Sequence, residues 1–209
     1  MQRNGCRMSQ RRAMPITSAS RMLWSVISDV LGPLPVCAAM FSAASQGDRW
    51  WLSALGWTLL GIAFAGIIPY FLTWRLRHPR DGSLQPKGSR SRTMLLAAVA
   101  AAIGFAVLLV LSAPDKLLVT IGSIVATLVV IAWTNAHWRW SNHVAASAAG
   151  TAILIVEASP AAGAFGVVAT CAVATARVAL NRHSWSECFW GATAGATTAA
   201  VTQILLSKI

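Results

Sequence analysis

Residues Ala176-Arg177-Val178-Ala179-Leu180-Asn181-Arg182-His183-Ser184-Trp185-Ser186-Glu187 put a guanidinium, an imidazole and a carboxylate into one short connection between two apolar runs. Arg177 is suited to clamp an anion, His183 to act as a nucleophile, and Glu187 to orient the histidine ring. Each has a plainer reading as well. Ser184 and Glu187 have the spacing of a capping box for the helix that follows, His183 can be an idle interfacial histidine, and Arg177 a snorkelling side chain. Arg177 nevertheless falls inside an apolar run, where a guanidinium needs a partner or a polar cavity. At the end of one helix, with His183 at the start of the next, the two can converge on one point.

A second polar group, Trp138-Arg139-Trp140-Ser141-Asn142-His143, precedes another apolar run. Ser141 or Asn142 is expected to cap the helix that starts there. A helix start also presents N–H donors and positive potential to a phosphate. There His143 can protonate a leaving oxygen and Arg139 can fork onto the anion. A third basic stretch, Arg75–Arg92, carries Lys87 and Arg90; its Pro79, Gly82, Pro86 and Gly88 argue against regular structure.

The rest of the chain has to carry these groups. Of 209 residues 56% are hydrophobic and 11% charged, whereas a soluble domain has about 25% charged residues. The composition implies one integral membrane domain, all-α, since a spanning helix satisfies its own backbone. The formal net charge of +11 gathers in connections beside apolar runs, which favours topology and phosphate binding over nucleic-acid binding. Cys6, Cys37, Cys171 and Cys188 have no metal-site or disulfide-framework spacing.

After a basic segment, residues 1–21, the runs expected to span are Leu23–Ala44, Trp50–Trp74, Met94–Leu111, Leu117–Trp133, Ser141–Ala158, Ala161–Leu180 and Phe189–Leu206. That is seven, or six if Leu23–Ala44 is a cleaved signal segment or lies in the interface. Asp29 inside the first run is expected near the interface or against another helix, and Gly191 and Gly195 in the last allow a neighbouring helix to come close. Two spans separate Arg75–Arg92 from Ser141–His143, and two more separate that group from Arg177–Glu187. All three therefore face one side. That side carries fourteen of the seventeen Lys and Arg residues, leaving Arg49, Lys116 and Lys208 opposite. The charge bias makes it the cytoplasmic face of a multi-pass cell-membrane protein.

The order of these groups resembles the type 2 phosphatidic acid phosphatase superfamily, which includes lipid phosphatases and vanadium haloperoxidases. The likeness extends over roughly Arg75 to Gly195 and is greatest to a divergent bacterial branch. The family's Ser-Arg-x5-His-x3-Asp reads Ala176-Arg177-x5-His183-x3-Glu187 here; its Pro-Ser-Gly-His reads Trp140-Ser141-Asn142-His143; its Lys-x6-Arg-Pro aligns with Ser83-x6-Arg90-Ser91. The resemblance implies that His183 attacks phosphorus to form a phosphohistidine, with Glu187 orienting its ring. It implies that His143 protonates the departing oxygen, and that Arg90, Arg177, Ser141 and local N–H groups hold the phosphoryl oxygens. No metal or cofactor is implied. The chain departs from the pattern at Ser83, Ser91, Asn142, Ala176 and Glu187, and Lys87, Arg92 or Arg139 can supply the charge missing at Ser83.

The expected substrate is an amphiphile with a phosphate or diphosphate head, either an isoprenoid phosphate or a phosphatidic-acid-type lipid. Trp133, Trp138, Trp140, Trp185 and Trp190 read first as an interfacial belt. They can also steady a carbocation by cation–π contact, which would make the protein a prenyl-diphosphate-ionising cyclase or transferase. A catalytically degenerate lipid-binding or transport protein is the other alternative.

Overall fold

The computed structural model describes residues 18–30, 39–42, 51–69, 71 and 87–208, the side chains of 29, 30, 51, 52 and 87–90 excepted. Among these residues there are helices and turns but no strand. The helices are α1 (Ser18–Val30), α2 (Trp51–Ile62, running on as a π-helical turn, Ala63–Ile67), α3 (Lys87–Val110), α4 (Asp115–His137), α5 (Asn142–Glu157), α6 (Pro160–Ala179) and α7 (Trp185–Leu206). The expected all-α class is observed. Among the described residues three stretches, Ser91–Val110, Asp115–His137 and Pro160–Ala179, are long and apolar enough to cross a membrane.

Local chemistry sets the helix ends. α3 closes in a Schellman turn: Ala113 N–H reaches Leu108 O at 3.0 Å and Ser112 N–H reaches Leu109 O at 3.1 Å. Ser112 sits in the left-handed region at φ 56°, the conformation this motif needs. Pro114 and Asp115 then open α4, the carboxylate placed where the helix dipole favours negative charge. Pro160 occupies the first turn of α6, and the Ser159 hydroxyl accepts from Ala162 N–H at 3.2 Å. One expectation is corrected here. Lys87–Arg92 are not loop but the start of α3: no proline falls within these six residues, so none interrupts a helix there. Residues 75–86, including Ser83, the basic segment 1–17, and the side chains of Asp29, Lys87 and Arg90 lie outside what is described.

Packing brings the motif-bearing ends together. α3 and α4 form an antiparallel hairpin, α5 packs on α6 and α7, α7 on α4, and α1 on α6. The start of α3 meets the end of α4, where Ser91 Oγ donates to Ala132 O at 2.7 Å. The α4–α5 and α6–α7 connections meet at this same end, since Ser141 N–H donates to Glu187 O at 3.1 Å. The far end is tied by Lys116 to Glu157 at 4.0 Å.

α5 is the central helix. Its run of small residues, Ala145-Ala146-Ser147-Ala148-Ala149-Gly150, lets neighbours approach on several sides, and most of it is buried. Against α6 it makes hydroxyl contacts: Thr170 Oγ1 lies 3.0 Å from Ser147 Oγ and 3.1 Å from Thr151 Oγ1. Against α7 the contact is backbone on backbone. A Cβ on Gly191 would stand 2.8 Å from Ser141 O, and one on Gly195 would overlap the Ala145 carbonyl. The close approach anticipated from the spacing of these glycines is therefore present, and its partner is α5. Apolar side chains such as Leu95, Val99, Ile103, Phe165, Val168, Phe189, Ile204 and Leu205 point outward, a surface suited to lipid rather than water.

Gly195→Ala is expected to destabilise the protein by about 1–3 kcal/mol through this overlap, whereas Gly56→Ala, with nothing within 4 Å of the added carbon, is expected to be neutral. Thermal unfolding of both variants in detergent checks the contrast.

Candidate active site

Arg177 lies in the last turn of α6, where a cation is favoured by the helix dipole. Its main chain and side chain do different work. α6 ends in a second Schellman turn: Arg182 N–H donates to Arg177 O at 3.0 Å and Asn181 N–H to Val178 O at 2.9 Å. Asn181 takes the left-handed position at φ 54°, one that asparagine tolerates better than most residues. The same Arg177 carbonyl also accepts from His183 N–H at 3.3 Å. The five residues between Arg177 and His183 are thus the helix end and turn that fold the histidine's backbone onto the arginine's. The residue is 8% exposed, and its guanidinium reaches across to α5 and donates to His143 Nδ1 at 3.1 Å.

His183 Nδ1 lies 3.1 Å from Glu187 Oε2, and the histidine side chain is only 5% exposed. The same oxygen accepts from Ser184 N–H at 3.0 Å, while Ser184 Oγ accepts from Glu187 N–H at 3.3 Å. The capping box is therefore complete, and Glu187 caps α7 and orients His183 through a single atom. The two roles that its position suggested are both filled.

The tautomers follow from the partners. A carboxylate only accepts, so His183 Nδ1 carries a proton, and in the neutral ring Nε2 has the lone pair. A guanidinium only donates, so His143 Nδ1 carries the lone pair and Nε2 the proton. Two histidines at one end of the bundle are held in opposite states, one as a nucleophile or base and the other as a donor.

Ser141 occupies the N-cap position of α5, but its side chain makes no cap bond. That expectation is corrected. Its backbone N–H is taken by Glu187 O, and its hydroxyl, fully buried beside the Cys188 thiol, has no hydrogen-bond partner of normal geometry. Asn142 does not cap either; its Oδ1 accepts from Asn135 Nδ2 at 2.9 Å. Asn135 is 1% exposed near the end of α4 and is a contributor the sequence reading missed. Its only signal was a carboxamide at the end of a long apolar run. Val144, Val173 and Cys188 form a small apolar cluster that ties the first turn of α5 to α6 and α7.

Arg139 is separated from this group. It lines a cleft of about 470 Å³ with Trp138, Trp140, Ser186, Glu187 and Trp190, so Glu187 is common to the cleft and the histidine pair. His143, Arg177 and His183 are not among the cleft's walls. Trp140 stacks with two other indoles, Trp138 at 5.2 Å and 11° and Trp190 at 6.2 Å and 18° between ring centroids and planes. Trp133 meets Trp138 edge-on at 5.7 Å. The stack is a wall rather than a cage, and Trp185 has no part in these ring contacts. Arg90 and Lys87 belong to the first turn of α3 at this same end. Among the described residues no three His, Cys, Asp or Glu side chains are grouped to hold a metal ion. No family model, curated protein or solved structure matches the chain.

Glu187→Ala is expected to cost about 1 kcal/mol through the lost cap. Glu187→Gln keeps an acceptor oxygen and is expected to stay within about 0.5 kcal/mol of the parent, roughly the scatter of surface substitutions. Equal losses in the two unfolding curves would mean that the charge, not the cap, holds this end of α7.

Proposed function

We propose that the protein is a membrane-bound phosphohydrolase that cleaves the phosphate or diphosphate ester of an amphiphile through a phosphohistidine. The observation that carries this reading is the pair of oppositely poised histidines, His143 and His183, joined through the buried Arg177 at one end of an apolar bundle. His183 Nε2 attacks phosphorus, Glu187 holds its ring, Arg177 neutralises the phosphoryl oxygens, and His143 hands a proton to the leaving oxygen. Water then cleaves the phosphorus–nitrogen bond. Charge gathers on oxygen throughout, so fixed cationic donors supply most of the stabilisation. The resemblance to type 2 phosphatidic acid phosphatases supports the same assignment of roles.

The remaining parts of the reading fit this chemistry. α4, α5, α6 and α7 join α2 and α3 as spans, with α1 a further span or an interfacial helix, which gives six to seven crossings of the cell membrane. The charge bias puts the site on the cytoplasmic face. Arg139 on the cleft wall and Lys87 and Arg90 from the first turn of α3 are assigned on this reading to a second phosphate or to the headgroup. The cyclase alternative is less well served, because Trp140 is already stacked with two other indoles and a cation–π cradle needs an open face.

Purified protein is expected to release phosphate from at least one member of a panel of isoprenoid phosphates, isoprenoid diphosphates and phosphatidic acid. His183→Ala should abolish release, and His143→Ala should slow it by about 10²–10⁴-fold, the usual contribution of a positioned acid. Orthovanadate should inhibit. Release unaffected by His183→Ala would overturn the mechanism, and no release from any member would overturn the function.

A further inference from the structure

The bond between Arg177 and His143 does more than position a ring. While a guanidinium N–H points at His143 Nδ1 from 3.1 Å, that nitrogen cannot carry a proton, because two N–H groups would face each other. The ring's one proton is on Nε2, and His143 is neutral. A neutral imidazole that gave up this proton would become imidazolate, so in this state His143 donates hydrogen bonds but does not serve as an acid for a departing alkoxide. It becomes an acid only when Nδ1 is protonated as well, and for that Arg177 must leave.

We propose that Arg177 is a latch: a tetrahedral oxyanion draws the guanidinium off His143 Nδ1, and His143 takes up one proton from solvent as the anion binds. This rests on the reading of Arg177 as the phosphate-binding residue and adds when, and by what, the acid is charged. Arg177 from α6 is bonded to His143 Nδ1 and in turn faces the Cys188 thiol of α7; the other charged and titratable groups at this end are His183 from the α6–α7 connection, paired with Glu187 of α7, and Arg139, which lies in the separate cleft. Arg177 is the one bonded to Nδ1, and its departure toward an anion both vacates that nitrogen and brings negative charge beside the ring. The two changes act in the same direction.

The protons balance through a full cycle. Nδ1 gains a proton from solvent on binding. Nε2–H passes to the leaving oxygen as the ester P–O bond breaks and the His183 Nε2–P bond forms. His143 is then neutral with its proton on Nδ1 and a lone pair on Nε2, placed to accept a proton from the attacking water. When the P–N bond breaks and phosphate departs, Arg177 returns to Nδ1 and that proton goes back to solvent. An empty site thus keeps its acid uncharged.

The test is calorimetry of the full chain in detergent with tungstate, a tetrahedral dianion that does not itself titrate near neutral pH, in buffers of different ionisation enthalpy. About one proton should be taken up per tungstate bound. In His143→Gln, whose side-chain oxygen can still accept from Arg177 but cannot titrate, tungstate should bind with no proton uptake. Nitrogen-15 spectra of histidine-labelled, unsubstituted protein give the same answer without a variant: the neutral Nε2–H form of His143 before tungstate and the imidazolium after. Proton-neutral binding by the parent, or uptake that persists in His143→Gln, overturns the latch and leaves the phosphatase reading standing. Absence of tungstate binding overturns both.

Discussion

The geometry of the site depends on two side chains that are not there. Gly191 and Gly195 let the backbone of α7 lie directly on that of α5, at Ser141 and Ala145. That approach allows Glu187 O to take the Ser141 N–H, which fixes the first turn of α5 against the first turn of α7. His143 is carried by one of those turns and Glu187 by the other. A shift of about an ångström between them is enough to misalign reacting groups. In lipid, where no hydrophobic force draws helices together, such close contact of small residues is a main source of association. The contact that stabilises the bundle is therefore also the one that fixes the turns bearing His143 and Glu187.

Arg177 performs the second part of the arrangement. Through its carbonyl it holds the amides of Arg182 and His183, and through its guanidinium it holds His143. One residue sets the positions of two imidazoles that lie far apart in the chain. The left-handed Asn181 makes this possible, because the turn it permits returns the chain to the carbonyl three residues inside the helix end. The energy of each bond is modest, about 1 kcal/mol for a typical pair and somewhat more where a charge takes part. Their combined effect is directional, and it assigns each histidine a different tautomer.

Much of this was legible in the sequence, for identifiable reasons. Apolar runs bounded by Pro, Ser or charged residues located α4 to α7 to within a few positions, because helix ends are decided by neighbours in sequence. The capping box at Ser184–Glu187 and the close approach at Gly191 and Gly195 were readable for the same reason: each rests on spacing along one helix. Counting apolar runs put His143 on the same side as Arg177 and His183, and the Arg177–His143 bond lies at that shared end. What could not be read depends on partners from other helices. Ser141 has the side chain of a cap, yet α7 claims its backbone. Asn142 likewise turns to Asn135 on α4. Lys87–Arg92 looked irregular from Gly88 and the prolines earlier in the same basic stretch, but Gly88 falls in the first turn of α3, where it breaks little. That three tryptophans would stack on one another, rather than line a membrane rim singly, follows from the meeting of the α4–α5 connection with α7.

α5 has a further consequence through its length. At 16 residues it measures about 24 Å, some 6 Å less than the hydrocarbon thickness of an average bilayer. On the reading proposed here its far end is held at the opposite surface, where Glu157 meets Lys116. Its near end, which bears His143, then comes to rest below the plane of the headgroups. A lipid approaching this protein would not have to rise out of the leaflet to present its ester bond. The bond would already lie at the depth of the imidazoles, and diffusion within the membrane, rather than extraction from it, would deliver the substrate.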